Sequence, residues 1–126
     1  LGKSLINNPK CRLIEGDCFE MANRQDGFDP AHPGRKFDAV LLDIDHAPDF
    51  HLAPAHAKFY QPAGLKKLAQ QLNPGGVFAL WSNDPPVQFF IDRIGSIFRT
   101  ATAVEVPFYN PLQDRDFVQS IYLACA

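Results

Sequence analysis

Apolar and polar positions alternate along this chain in two rhythms, and the rhythm assigns an element to almost every stretch. Cys11–Glu15, Phe37–Leu42 and Val77–Trp81 read as short buried strands, and Phe37–Leu42 is a near-continuous apolar run, as expected of a strand covered on both faces. Residues 18–24 read as a short helix with Asp17 at its N-cap. Pro62 suits a first helical turn, and Leu65, Leu68, Ala69 and Leu72 follow it at helical spacing until Asn73-Pro74-Gly75-Gly76 stops the pattern. A further helix begins at Pro85-Pro86, capped by Asn83 or Asp84, with Val87, Phe90, Ile91, Ile94, Ile97 and Phe98 on its apolar face. Residues 101–108 and 117–125 are strand-like, and 109–116 is the loop of a β-hairpin. Residues 25–36 are a Pro/Gly loop, and 44–60 form a long loop of the kind that is either functional or disordered. Leu1 to Pro9 reads as the end of a helix stopped by Asn7-Asn8-Pro9, so the chain is expected to be part of something longer.

Strands alternating with helices imply an α/β fold, with a mostly parallel sheet and helices on both faces, here ending in an antiparallel hairpin. Right-handed crossovers then gather three polar strand ends on one sheet edge. These are Asp17-Cys18, Asp43 with Asp45, and Ser82-Asn83-Asp84. Ligands of open α/β sheets bind at that carboxyl edge. Each Asp taken singly is as well explained as a helix or turn cap. Together they suggest a pocket for a nucleotide-like or cationic ligand.

Composition narrows the function classes. The 126 residues fit one domain, and a formal charge of −2 with no basic stripe gives no reason to expect nucleic acid. Apolar runs stay far below the ~18 residues of a membrane span, and no signal peptide opens the chain. Three Cys (Cys11, Cys18 and Cys125) without close pairing suit a reducing cytoplasm. His46, His51 and His56 share the long loop with Asp43, Asp45 and Asp49, a donor set suited to Zn²⁺ or Fe²⁺. Their spacing matches no metal motif, so no metal is expected. Phe59-Tyr60 reads either as pocket aromatics or as a hydrophobic staple for the next helix. Trp81 reads as core or as a stacking surface. Gly75-Gly76 follows a helix and reads as a C-cap turn, not a phosphate loop.

Several of these segments, in order, resemble the spermidine synthase family: Gly16-Asp17-Cys18-Phe19-Glu20-Met21, Phe37-Asp38-Ala39-Val40-Leu41-Leu42-Asp43, Phe59-Tyr60, Leu72-Asn73-Pro74-Gly75-Gly76-Val77 and Val106-Pro107-Phe108-Tyr109. These are polyamine aminopropyltransferases built on the Rossmann-like class I methyltransferase fold. The resemblance implies the C-terminal part of one such domain over residues 1–126, its N-terminal strands missing. It implies that Asp17 and Cys18 bind the adenosyl part of S-adenosylmethionine or its decarboxylated form, and that Asp43 is the general base toward an amine. Asp45, His46 and Tyr60 are implied to contact the amine. The family's D-S-S-D-P-like gate reads Asp43-Ile44-Asp45-His46-Ala47-Pro48 here, with His46 in place of its second Asp.

The expected function is a transferase acting on a polyamine or other amine, without nucleic acid, membrane or metal. The alternatives are a methyltransferase of another acceptor and a non-catalytic binding or assembly module. The family's strand order, 3-2-1-4-5-7-6, would leave a gap beside residues 37–42. Either residues 11–16 close that gap or a second chain does, as in a homodimer.

Overall fold

The computed structural model describes residues 7–43, 47–50 and 53–126. Helix α1 is Cys18–Asn23, strand β1 is Phe37–Leu42, and a 3-10 helix covers Pro54–Lys58. Helix α2 (Pro62–Gln70), strand β2 (Leu72–Ser82), helix α3 (Gln88–Gly95) and strands β3 (Thr100–Asn110) and β4 (Arg115–Cys125) complete the order. The sheet runs β1-β2-β4-β3, with β1 parallel to β2 and both β4 pairings antiparallel. The fold is therefore mixed α/β, parallel at one end and closed by an antiparallel hairpin, as the sequence pattern implies.

Local chemistry accounts for the element ends. Asp17 Oδ1 accepts from the amides of Phe19 at 2.8 Å and Glu20 at 3.1 Å, satisfying two of the donors that every helix start leaves open. Pro62 sits in the first turn of α2. The start of α3 differs from expectation. The helix begins at Gln88, and no side chain caps it. Instead the buried Tyr122 hydroxyl, on β4, accepts from the Val87 amide at 2.9 Å. A tertiary contact thus replaces the local Asn83/Asp84 cap. β2 starts at Leu72, where the Asn73–Gly76 turn was expected to separate helix from strand. That turn bulges out of the ladder, since Phe37 pairs with Leu72 and Ala39 already pairs with Val77. Gly75, at φ +78°, supplies the left-handed residue the bulge needs.

The apolar stretch at 11–15 forms no strand. Arg12 instead pairs with the carboxylate of Asp29, which is 2% exposed. Asp29 also accepts from the backbone amides of Ala31 and His32 and faces the side chains of His32 and Arg35. The segment is thereby tied to the 25–36 loop and not to the sheet. Residues 11–16 do not fill the place beside β1, which is an edge strand among the described residues.

One core unites the helices and one face of the sheet: Leu65 and Leu68 from α2, Phe90 and Ile94 from α3, and Phe78, Leu80, Tyr122 and Ala124 from the strands. Phe90 meets Tyr122 edge-on with ring centres 4.9 Å apart. Phe19 and Ala22 carry α1 into the same cluster. The other face carries the residues of opposite parity. The register lines up Ala39, Val77, Cys125 and Thr100 in one row and Leu41, Ala79, Leu123 and Thr102 in a second, with both threonines exposed. Trp81, Ile121 and Val104 form a third. None of the eight hydrophobes besides Cys125 in these rows belongs to the core cluster, and Leu41 is 75% exposed. Helices on both faces were expected, but all three described α-helices pack on one. The reason is directional. The crossovers β1–α2–β2 and β2–α3–β3 both travel away from β1, and right-handed crossovers that travel one way place their helices on one side.

Candidate functional site

The C-terminal end of β1 lies between two hollows. On the helix-covered side a groove of about 290 Å³ separates α1 from β1, lined by Cys18, Phe19, Phe28 and Phe59 opposite Val40 and Leu42. On the bare side a hollow of about 240 Å³ is lined by Asp43, Leu41, Ala79, Trp81 and Ile121. Leu41 and Leu42 line both, so the exposed Asp43 closes the strand where the hollows approach each other.

The expected site residues are distributed as follows. Asp17 is exposed and caps α1, which is the structural role the sequence left open for it. Cys18 follows it into the groove. Burial, and then the charge of Asp17, pushes the Cys18 thiol above its ordinary pKa, so it is neutral at pH 7 and suited to packing and backbone contacts. Tyr60 is in the core, 1% exposed, with its ring edge-on to Phe59 at 5.0 Å and to Phe90 at 6.0 Å. Burial, reinforced by Cys18, raises its hydroxyl well above the usual tyrosine range. Its carbonyl accepts from Arg93 Nη1 at 3.0 Å. The structure thus places Tyr60 among core aromatics, away from both hollows. Asp45 and His46 lie outside the described residues, as does His51. His56 stacks on Phe19 with ring centres 4.1 Å apart. No group of three His, Cys, Asp or Glu side chains suited to a metal occurs among the described residues.

The third strand end serves the fold. Ser120 Oγ donates to the Asp84 carbonyl at 2.8 Å, and Gln119 Nε2 donates to Asn83 Oδ1 at 3.1 Å. These bonds lash the β2 end to β4. Phe28 was missed as a groove residue. Its signal was an isolated aromatic in a Pro/Gly loop directly after Gly27, whose φ of +77° turns the chain back toward β1. Gln71 was missed as well. Its Nε2 donates to the Ala22 carbonyl at 2.7 Å, joining the ends of α1 and α2.

The fold has counterparts among solved structures. A spermidine synthase in complex with the transition state analogue AdoDATO matches 98% of this chain with a TM-score of 0.67 at 15% identity. A spermidine synthase from Thermotoga maritima matches 98% with a TM-score of 0.64 at 14% identity. The chain spans 39% and 38% of the lengths of those two proteins. No family model matches the chain, and no curated protein matches it. The likeness defines a spermidine-synthase-like fold.

Proposed function

We propose that this chain is a spermidine-synthase-like transferase domain whose substrates are S-adenosylmethionine, or its decarboxylated form, and a polyamine or other amine. The observation that carries the reading is Asp43. It is an exposed carboxylate at the C-terminal end of a parallel strand, in a sheet matched over 98% of the chain by spermidine synthases. The apolar groove at Cys18 and Phe19 suits the flat ring of the adenosyl group, next to the Asp17 cap. Asp43 acts as general base. The amine nitrogen attacks the carbon bonded to the sulfonium, and the new C–N bond forms as the C–S bond breaks. The bonding pair goes to sulfur, and the amine proton goes to Asp43. Asp45 and His46, next along the chain, hold the amine. The Tyr60 contact requires its ring to leave the core, so Tyr60 serves the site by packing behind it. No metal takes part, and the protein works in the cytoplasm.

The burial of Tyr60 and the structural use of Asp17 favour a second reading, a non-catalytic module that keeps the fold. Isothermal titration with S-adenosylmethionine and with its decarboxylated form separates the two. Binding of either supports the transferase, preference for S-adenosylmethionine points to a methyltransferase, and binding of neither refutes the transferase in favour of the non-catalytic module. In a parent that turns over, Asp43→Asn should lower kcat by a factor of ~10²–10⁴, the span of general-base assistance. Unchanged turnover removes the base from Asp43.

A further inference from the structure

The N-terminal end of β1 borders a hollow of about 550 Å³, at the opposite end of the strand from Asp43. Its walls are the ends of α1 and α2 and the loop leading into β1. These elements pack on one another, so the hollow's shape does not depend on the bare sheet face or on the rim beside β1. Gln71 ties them together. Its backbone carbonyl accepts from the Phe37 amide at 2.9 Å, while its Nε2 donates to the Ala22 carbonyl at 2.7 Å.

The lining has one chemical character. Apart from Gly27 and Gly34, every residue of it is Arg, Lys, Asn or Gln. Arg24, Arg35, Lys36 and Lys67 bring four of the chain's 12 cationic side chains to this one place, although the whole chain has a formal charge of −2. Arg24 also pairs with Glu20 at 2.6 Å, and Arg35 with Asp29 at 3.3 Å, a carboxylate it shares with Arg12. Lys36 and Lys67 have no carboxylate partner among the described residues. The two helix ends that face the hollow carry about half a negative charge each. Those charges leave the hollow positive. A second observation concerns its floor. Gln71 is 7% exposed, and its Oε1 has no hydrogen-bond partner, which is rare for a buried polar atom. Gly27 lies against that oxygen, where a Cβ would come within 3.0 Å of it.

We propose that this hollow binds a small phosphorylated polyol. Arg24, Arg35, Lys36 and Lys67 hold the phosphate through charge-assisted hydrogen bonds. A ligand hydroxyl entering past Gly27 donates to Gln71 Oε1, and the amides of Gln25 and Gln70, each donor and acceptor, serve the remaining hydroxyls. The lining has no aromatic or aliphatic side chain on which a nucleobase could stack, so a sugar phosphate suits it better than a nucleotide.

The experiment is an amide-resolved NMR titration of the chain with fructose 1,6-bisphosphate, and separately with inorganic pyrophosphate, which lacks carbon-borne hydroxyls. The expected result is saturable binding of the sugar phosphate, tighter than pyrophosphate and weakened by added salt. Shifts should concentrate at the Gln71 side-chain amide and at the backbone amides of Gly27, Gly34 and Lys36. Lys36→Gln and Lys67→Gln, both at exposed positions, should each weaken binding about threefold and together about tenfold, with the rest of the spectrum retained. Lys66→Gln, on α2 but outside the hollow, should leave binding unchanged. Absence of saturable shifts overturns the proposal, as do shifts centred elsewhere. Pyrophosphate binding as tightly as the sugar phosphate overturns the polyol assignment. A double variant that binds like the parent, or a Lys66→Gln chain weakened as much as Lys67→Gln, overturns the site.

Discussion

Gly64, in the first turns of α2, offers a sharp test of how tightly the site's floor is built. Alanine is preferred to glycine in a helix by about 1 kcal/mol, so propensity alone favours Gly64→Ala. Packing reverses the sign. A Cβ at this position would lie 2.5 Å from the carbonyl oxygens of both Lys58 and Phe59, and 2.8 Å from Phe59 Cα. These are backbone atoms at the junction of the 3-10 helix with the Phe59-Tyr60 core pair, and they cannot swing aside as a side-chain tip would. Relief requires a shift of several tenths of an ångström in the segment that places Phe59 against the groove. Overpacking costs about 1–3 kcal/mol, and an approach of 2.5 Å to fixed backbone atoms belongs to the upper part of that range, about 2–3 kcal/mol. With the propensity gain set against it, the expected net loss is about 1–2 kcal/mol, or roughly 1 M in urea midpoint at an m-value of about 1.5 kcal/mol/M. Gly95→Ala is the control. Its added Cβ meets only the Ala101 Cβ at 3.6 Å, an ordinary contact, so stability should hold or rise. Urea unfolding followed by circular dichroism reads both variants. A Gly64→Ala chain as stable as the parent would refute the close-approach argument.

Other expectations follow from the same structure. Phe90→Ala, at a fully buried ring between Tyr60 and Tyr122, should cost about 3–5 kcal/mol and is measured by denaturant unfolding. Tyr122→Phe removes the acceptor of the Val87 amide and should cost about 1–2 kcal/mol, with faster hydrogen exchange at the first turn of α3. Burial raises the Asp29 carboxyl, but the hydrogen bonds from Arg12 and His32 and the Ala31 amide outweigh it and hold it well below the ordinary carboxylate range. Its stabilisation is therefore complete above the unfolded pKa of about 3.9 and is lost as pH falls below it toward the folded value. Asp29→Asn should lower stability at pH 7 and flatten the decline below pH 4 in acid-unfolding curves.

Periodicity made the helices and the hairpin legible because their burial is one-sided. Leu65, Leu68, Phe90 and Ile94 announce their faces, and 117–125 alternates as a half-buried strand should. What failed depended on partners distant in sequence. Cys11–Glu15 has the composition of a strand, but the buried Asp29 captures Arg12 and the segment stays irregular. The start of α3 is fixed by Tyr122, about 35 residues away. The direction of the crossovers leaves no mark in any local pattern, so the bare face was invisible. At the candidate site, the position of Asp43 at the end of β1 was legible, because a polar residue directly after a short apolar run marks where a strand stops. Asp17 remained ambiguous, because a cap and a ligand contact demand the same residue at the same place. The depth of Tyr60 is a property of three neighbouring rings.

The two margins of the sheet are not equally protected against further strands. β3 carries Glu105, a charge, and Pro107, which has no amide to donate, within one stretch of its outer rim. β1, at the opposite rim, has Asp38 but no proline, and its remaining residues are apolar. Among the described residues, a further strand is therefore better accommodated beside β1 than beside β3. Two chains that met rim to rim through β1 would present only their β3 sides outward. Growth of the joined sheet would then be disfavoured at both rims, so the fold carries its own brake on edgewise polymerisation.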